Sequence, residues 1–339
     1  MGQWIAGDIH THSDCCEDGT LPVAELVEQS LPYCDFLAIS GHARNSDNWG
    51  EHQYRAILDA RKQFPDIPIF HTGELEFPIE RHVMILTQPE NREFELQREL
   101  VRRFDRRAGV AGIERAEDEM RFIEEGWGLD AFMVFNHPNA PVVAFEHLER
   151  LARFELFKVI ACIDRGERRA EQVWDVGGDW DRLLMQGRRI FARFGSDFHA
   201  HFSAGGHDYW PGEFVQDHLW VENNSYQDIL SAYRNGGFYC TVDNMISDPV
   251  FESRPAADSR RSELRLEFQI HLPVDHIDIV SDGRAIRSFT DVPVGAFRFS
   301  ETVPRGLYYR VRGAAKPRPR KYGEGAYQPV FLVNPIFTD

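Results

Sequence analysis

The chain is short of cysteine, of basic charge and of long apolar runs, and each shortage excludes something. Its five cysteines stand at 15, 16, 34, 162 and 240. An odd, scattered set argues against a disulfide framework and for a reducing, cytoplasmic setting. No apolar stretch approaches the roughly 18–20 residues of a transmembrane helix, so no membrane partner is expected. The start lacks a basic segment followed by an apolar core, and no secretory signal is expected. Lysine and arginine number 38 against 54 acidic residues, a formal charge of −16. A surface of that sign repels phosphate backbones, and on this ground nucleic acid is excluded as a partner. At 339 residues, 42% apolar and 27% charged, the chain is an ordinary globular protein, long enough for a barrel and a small appendage.

Histidine and carboxylate are plentiful, and they gather at the ends of apolar runs. The first run leads through Asp8 into His10 and His12. On a strand the i, i+2 spacing turns both imidazoles to one face, half of a first-row metal site. The same arrangement returns along the chain. Strand-like runs at 35–42, 67–75, 82–86, 131–135, 156–163 and 189–194 carry His42, Glu74, His82, His137, Asp164 and Asp197–His199 at or beside their ends. Helical periodicity separates them at 21–31, 54–64, 90–127, 145–153 and 167–187, with a further helix at 226–234. Alternation of this kind predicts βαβ units and a parallel sheet, and ligand-type residues at strand C-terminal ends suit a barrel enzyme.

Beyond residue 248 the pattern changes. Residues 264–270 alternate as a half-buried strand does, Asp282-Gly283 marks a hairpin, and no helical period is visible. The expected fold is α/β: a distorted (β/α)7 TIM-like barrel over 1–248, followed by a small all-β sandwich over 249–339. The appendage holds no ligand cluster, and the basic run at 316–321 reads as a solvated loop. His271 and His276 read as ordinary polar positions.

Collected, the candidate ligands are His10, His12, Asp18, His42, Glu74, His82, His137, Asp197 and His199. One ion does not take so many. Two or three clustered divalent cations are expected, and mixed imidazole and carboxylate ligation suits Zn, Mn or Fe.

Asp-x-His-x-His near the start, a strand ending in Gly-His, Gly-Glu ahead of a later His, Asn-His-Pro, and Gly-Ser-Asp-x-His together resemble the polymerase-and-histidinol-phosphatase (PHP) family over roughly residues 4–240. The Gly-Asp-Ile-His start, the stretch at 232–239 and the closing Val-Asn-Pro-Ile make the chain most similar to the carbaryl-hydrolase-like branch. The resemblance implies the distorted barrel, a di- or trinuclear site, and all nine residues above as ligands. Three departures stand out. Gly41 replaces the usual Asp beside the histidine of the second motif, which removes an acidic partner for His42. The first loop is one residue longer than usual, so Asp14 competes with Asp18. Glu76 competes with Glu74 on the same strand face, and Glu74 is preferred because it follows the glycine.

Such a site supports hydrolysis by a water bridging two cations, with Asp197 orienting that water and accepting its proton. The family most often works on phosphates, so a small phosphorylated molecule is the favoured substrate. Arg44 and Arg165 are candidates to clamp its oxygens. Hydrolysis of a carbamate, amide or carboxylic ester, and a metal-binding module without turnover, stand as alternatives. His201, His207 and Tyr209 are candidates for the mouth of the site.

Overall fold

The computed structural model describes the chain apart from residues 1, 43–48, 80, 90–91, 104–111, 137, 139–143, 165–170, 205–208, 323 and 339. Its first part contains strands β1 (Gln3–Thr11), β2 (Phe36–Ile39), β3 (Ile69–His71), β4 (Leu75–Phe77), β5 (Arg81–Thr87), β6 (Ala131–Phe135), β7 (Phe157–Asp164), β8 (Phe191–Gly195), β9 (Val215–Val221) and β10 (Phe238–Val242). Helices α1 (Val23–Ser30), α2 (Trp49–Gln63), α3 (Glu93–Arg103), α4 (Ile113–Trp127), α5 (Phe145–Leu151), α6 (Glu171–Trp174), α7 (Asp179–Met185) and α8 (Tyr226–Asn235) lie between them. α1 buries Val23, Leu26 and Val27, the i, i+3, i+4 stripe of an amphipathic helix. α8 is capped by the Ser225 side chain, which accepts from the Asp228 N–H, and is ended by Gly236 at φ +73°. The single helix expected over 167–187 is broken into α6 and α7, with Gly177 at φ +77° between them.

The strands form two sheets that face a common core. β3, β2 and β1 are parallel neighbours, and β1 pairs antiparallel with β9, which pairs with β10. The second sheet runs β4-β5-β6-β7-β8; β6, β7 and β8 are parallel, but β5 is antiparallel to both its neighbours. The wall is therefore not the uniform parallel repeat expected, because the run at 67–77 is split into β3 and β4 and the chain turns back into β5. Ile9, Phe36, Phe70, Met84, Val134, Ile160 and Phe194 belong to one buried cluster between the sheets. The sheets meet at two single bridges, Thr11 with Phe198 and His42 with Glu74. Both seams carry candidate ligands.

The remainder is β11 (Ile246–Pro255), β12 (Arg261–Ile270), β13 (Val274–Ser281), β14 (Arg284–Val292), β15 (Gly295–Pro304), β16 (Tyr308–Ala314), β17 (Arg318–Pro319), β18 (Ala326–Tyr327) and β19 (Val330–Phe337). β11, β12 and β15 form a three-stranded sheet, whereas β14, β13, β16 and β19 continue the sheet of β1 through β10. Leu264, Leu266, Phe268 and Ile270 are buried as their alternation predicts, in one cluster with Ile279, Val311 and Phe331. Two layers do pack here, but one of them is shared with the first part of the chain, so the segment is not a free-standing sandwich. Arg310 on β16 is fully buried against Asp181 of α7 at 2.7 Å, and Tyr308 donates to the same carboxylate at 2.6 Å. The basic run forms the β17–β18 hairpin, where Arg318 pairs with Asp243 at 3.0 Å and Lys321 pairs with Glu213. Among the described residues no helix is long and apolar enough to cross a membrane.

Candidate metal centre

The end of β1 and the residue just past it bring His10 and His12 to the seam between the sheets, and both are fully buried. Glu74 reaches the same place from the seam before β4, and Asp197 from the turn after β8. His10 Nε2 lies 3.1 Å from Glu74 Oε1 and 3.2 Å from Asp197 Oδ1. His12 Nε2 lies 3.5 Å from Glu74 Oε2 and 3.2 Å from the same Asp197 oxygen. These four form a buried donor group.

A second group, more open, consists of His12, Asp18, His42 and His199. His42 Nε2 stands 3.0 Å from Asp18 Oδ2, and His199 Nε2 stands 3.5 Å from it. The loop that carries Asp18 is tied to the ligand turn, because the Thr20 N–H donates to the His199 carbonyl at 3.1 Å. Gly19 is required there, since a Cβ would collide with the Ser13 carbonyl. The third group is His42, Glu74 and His82. Here His42 Nδ1 approaches Glu74 Oε2 at 3.2 Å and His82 Nδ1 approaches Oε1 at 3.1 Å.

Ligands about 2.1 Å from a cation stand about 3.0 Å apart at right angles and about 3.4 Å apart at tetrahedral angles. The spacings of 3.0–3.5 Å in all three groups match those values. The protonation states suit cation binding too. Burial drives His12 down to about 4 against the pull of Asp197 and Glu74, and burial also lowers His42. Both rings are thus neutral and offer lone pairs. Burial works to raise Asp18, but the charge that His42, His199 and His12 carry when protonated outweighs it and lowers the carboxyl, as a cation in the same place would. His199 Nδ1 lies 2.7 Å from the Asp197 carbonyl, which can only accept, so the ring proton sits on Nδ1 and Nε2 faces Asp18. Asp197 itself sits at φ +49°, a backbone region that Asp tolerates better than most residues and that recurs at functional sites.

Eight of the nine candidate ligands converge in this way; His137 lies outside the described residues, as do Arg44, Arg165 and His207. Asp18 rather than Asp14 meets the histidines, and Asp14 is in none of the donor groups. Glu74 is shared by two groups, while Glu76 stands 3.9 Å from His82 Nε2. Although Gly41 supplies no carboxylate, His42 is held between Asp18 and Glu74. His201 and Tyr209 are buried, and the His201 ring stacks on Trp210 at 3.9 Å, so both pack under the loop after β8.

Sequence reasoning did not single out the layer beneath. Asn136 is fully buried and its Nδ2 donates to Glu74 Oε1 at 3.1 Å. Arg193 is fully buried between Asp217, at 2.7 Å, and Asp8, at 3.0 Å, and Tyr233 donates to Asp217 at 2.7 Å. The one available signal was an arginine inside an otherwise apolar strand, which calls for a buried acid. Cys16, whose thiol burial raises to about 11, lies 3.4 Å from Asp18 Oδ1 as a neutral neighbour.

No protein-family model and no curated protein matches the chain. Solved structures do. A two-domain protein from Bacteroides vulgatus, described as containing a predicted PHP-like metal-dependent phosphoesterase, is 13% identical, covers 96% of this chain and 95% of its own, and superposes with a TM-score of 0.51. The likeness is one of fold, and it runs through both parts of the chain. A lesion-specific endonuclease from Pyrococcus furiosus is 12% identical and covers 68% of this chain and 56% of its own, with a TM-score of 0.48. Endonuclease Q in complex with a 27-mer duplex carrying an abasic lesion is 11% identical and covers 68% and 57%, with a TM-score of 0.44. These two correct the exclusion of nucleic acid drawn from net charge. A charge summed over the whole chain does not describe the local field at a cluster of metal-type ligands.

Proposed function

We propose that this chain is a metal-dependent hydrolase of the PHP family and that its substrate is a phosphoester. The observation that carries the reading is the crowding of three overlapping donor groups into one place, where each neutral imidazole would serve one ion and the Glu74 carboxylate could bridge two. Five neutral imidazoles and three carboxylates make a set of formal charge −3, so two divalent cations leave the centre net positive, which favours an anionic ester over a neutral one. We assign His10, His12, Asp18, His42, Glu74, His82, His137, Asp197 and His199 as ligands of two or three Zn, Mn or Fe ions. When bound, such cations supply Lewis acidity and lower the pKa of water.

The chain's own residues do the rest. Asp197, almost closed off from solvent, holds an oxygen that faces both His10 and His12, placed to orient a water and take its proton. Glu74 stands within 3.1–3.5 Å of four imidazoles, those of His10, His12, His42 and His82. Asp18, with a side chain 40% exposed, and His82, at 27%, form the rim the ester meets first. Arg44 and Arg165 keep the role of phosphate clamps on the strength of the sequence alone, as does the carbaryl-hydrolase-like branch. The chemistry belongs to residues 1–248, and residues 249–339 serve packing.

The test begins with metal content per chain after purification without chelator, followed by turnover of aryl phosphate mono- and diesters, an aryl acetate, an aryl carbamate and a lesion-bearing DNA duplex. Two to three equivalents of metal with metal-dependent phosphoester cleavage support the reading. Turnover of the acetate or carbamate alone moves the assignment to the neutral-ester alternative, and bound metal with no turnover leaves a binding module.

A further inference from the structure

Two ligand-bearing segments meet at the closed end of the site: the last turn of β1 with His10 and His12, and residues 196–199 with Asp197 and His199. They belong to different sheets, so no continuous ladder sets their separation. Two contacts do. Downstream of Asp197, the His12 N–H donates to the Phe198 carbonyl at 2.7 Å. Upstream, Asp8 spans the gap. Its Oδ1 accepts from the His10 N–H at 2.9 Å, and its Oδ2 accepts from the Ser196 N–H at 3.1 Å. One carboxylate thus grips the backbone of a ligand and the backbone just before another.

Asp8 is itself held in place. Arg193 Nη2 reaches Oδ1 at 3.0 Å, and Arg193 Nε is locked to Asp217 at 2.7 Å. Asp217 in turn accepts from the Phe194 N–H at 3.2 Å and from the Tyr233 hydroxyl at 2.7 Å. Asp8, Arg193, Asp217 and Tyr233 are all at most 1% exposed. Asp8 is a member of none of the three donor groups.

We propose that Asp8 is a positioning residue, braced by Arg193, which sets the distance between the His10–His12 strand and the Asp197 turn and so governs cation affinity at the buried donor group in particular. The proposal rests on the metal-centre reading. It is selective, because the group of His42, Glu74 and His82 takes no ligand from either segment, whereas the group of His12, Asp18, His42 and His199 shares His12 and His199 with them. A merely structural residue would lower stability and affect all groups alike.

The experiment is calorimetric titration of Co2+ into the metal-stripped full chain, with the visible spectrum of bound cobalt followed in parallel. Asp8→Asn keeps the size of the side chain but turns one acceptor into a donor facing N–H groups. Loss of an outer partner of this kind typically weakens metal binding about 10–100-fold. The expected result is that weakening at a cobalt site of the buried group, with a changed spectrum for that site and unchanged affinity at the group of His42, Glu74 and His82. Equal weakening everywhere, or no weakening, overturns the proposal. If Asp8→Asn does not fold, Ser196→Ala removes the milder contact between the same segments, Ser196 Oγ to the His10 carbonyl at 3.3 Å. A selective loss in that variant supports the proposal, and unchanged affinity overturns it. If the wild-type chain binds no cobalt, the metal-centre reading fails instead, and the two failures are distinct.

Discussion

Asn136 gives a sharp test of how the site is built. Its amide donates to Glu74 Oε1 at 3.1 Å, and both residues are buried to 1% exposure or less. The same Glu74 oxygen faces His10 and His82, each at 3.1 Å. Asn136→Ala removes the donor and frees the carboxylate to turn away from two imidazoles. A hydrogen bond to a charged group contributes about 1.5–3 kcal/mol, which corresponds to roughly a ten- to hundredfold loss of cation affinity. The loss falls on the two donor groups that contain Glu74, while the group of His12, Asp18, His42 and His199 keeps its affinity. Asn136→Asp goes further. It puts a second carboxylate against Glu74, the two share a proton, and cation binding must expel it. Affinity in that variant recovers as pH rises, whereas Asn136→Ala shows no such recovery. Titration with Mn2+ at pH 6 and pH 8 reads both effects. Affinities of Asn136→Ala within twofold of wild type at every site would refute the claim that this amide orients Glu74.

Other outcomes follow from the same geometry. Asp197→Asn should lower kcat by roughly 10²–10⁴-fold on a phosphoester, the range of a lost general base, while thermal unfolding of the metal-free chain stays close to wild type because Asn also tolerates positive φ. Chelation should lower Tm, since cations at about 100 times their Kd stabilise by about 2.7 kcal/mol, and calorimetric scans with and without Mn2+ measure the shift. Acid stability is set partly away from the site: burial lowers His71 to about 3 and His218 to about 4. Both are neutral in the fold and take up protons on unfolding below about pH 6.5, so stability is complete above that value and falls as pH drops towards 4. In His218→Asn the loss between pH 6.5 and 4 should shrink by at most about 3 kcal/mol, read from urea midpoints across that window; an unchanged slope would sink the assignment of a neutral His218.

Residue type and local order carried much of this protein in plain view. Apolar runs ending in His, Asp or Glu marked the strands of the first part, and the Leu264–Ile270 alternation marked a half-buried strand whose inward residues are those found buried. Local patterns reach only as far as a side chain's own element, however. Asp18 and Asp14 are equivalent in a turn-rich loop until His42 and His199, brought from other strands, single out one of them. Glu74 and Glu76 are equivalent by strand alternation, and only the assembled fold sets Glu74 among His10, His12, His42 and His82 while Glu76 joins no donor group. The antiparallel course of β5 and the sheet shared by β10 and β19 depend on backbone pairing between distant segments, which leaves no periodic trace. The layer of Asp8, Arg193 and Asp217 is the extreme case. Asp8 and Asp217 look ordinary in their own strands, Arg193 stands out only as a charge in an apolar one, and only burial in one place, where a charge must find its partner, joins them beneath the candidate metal centre.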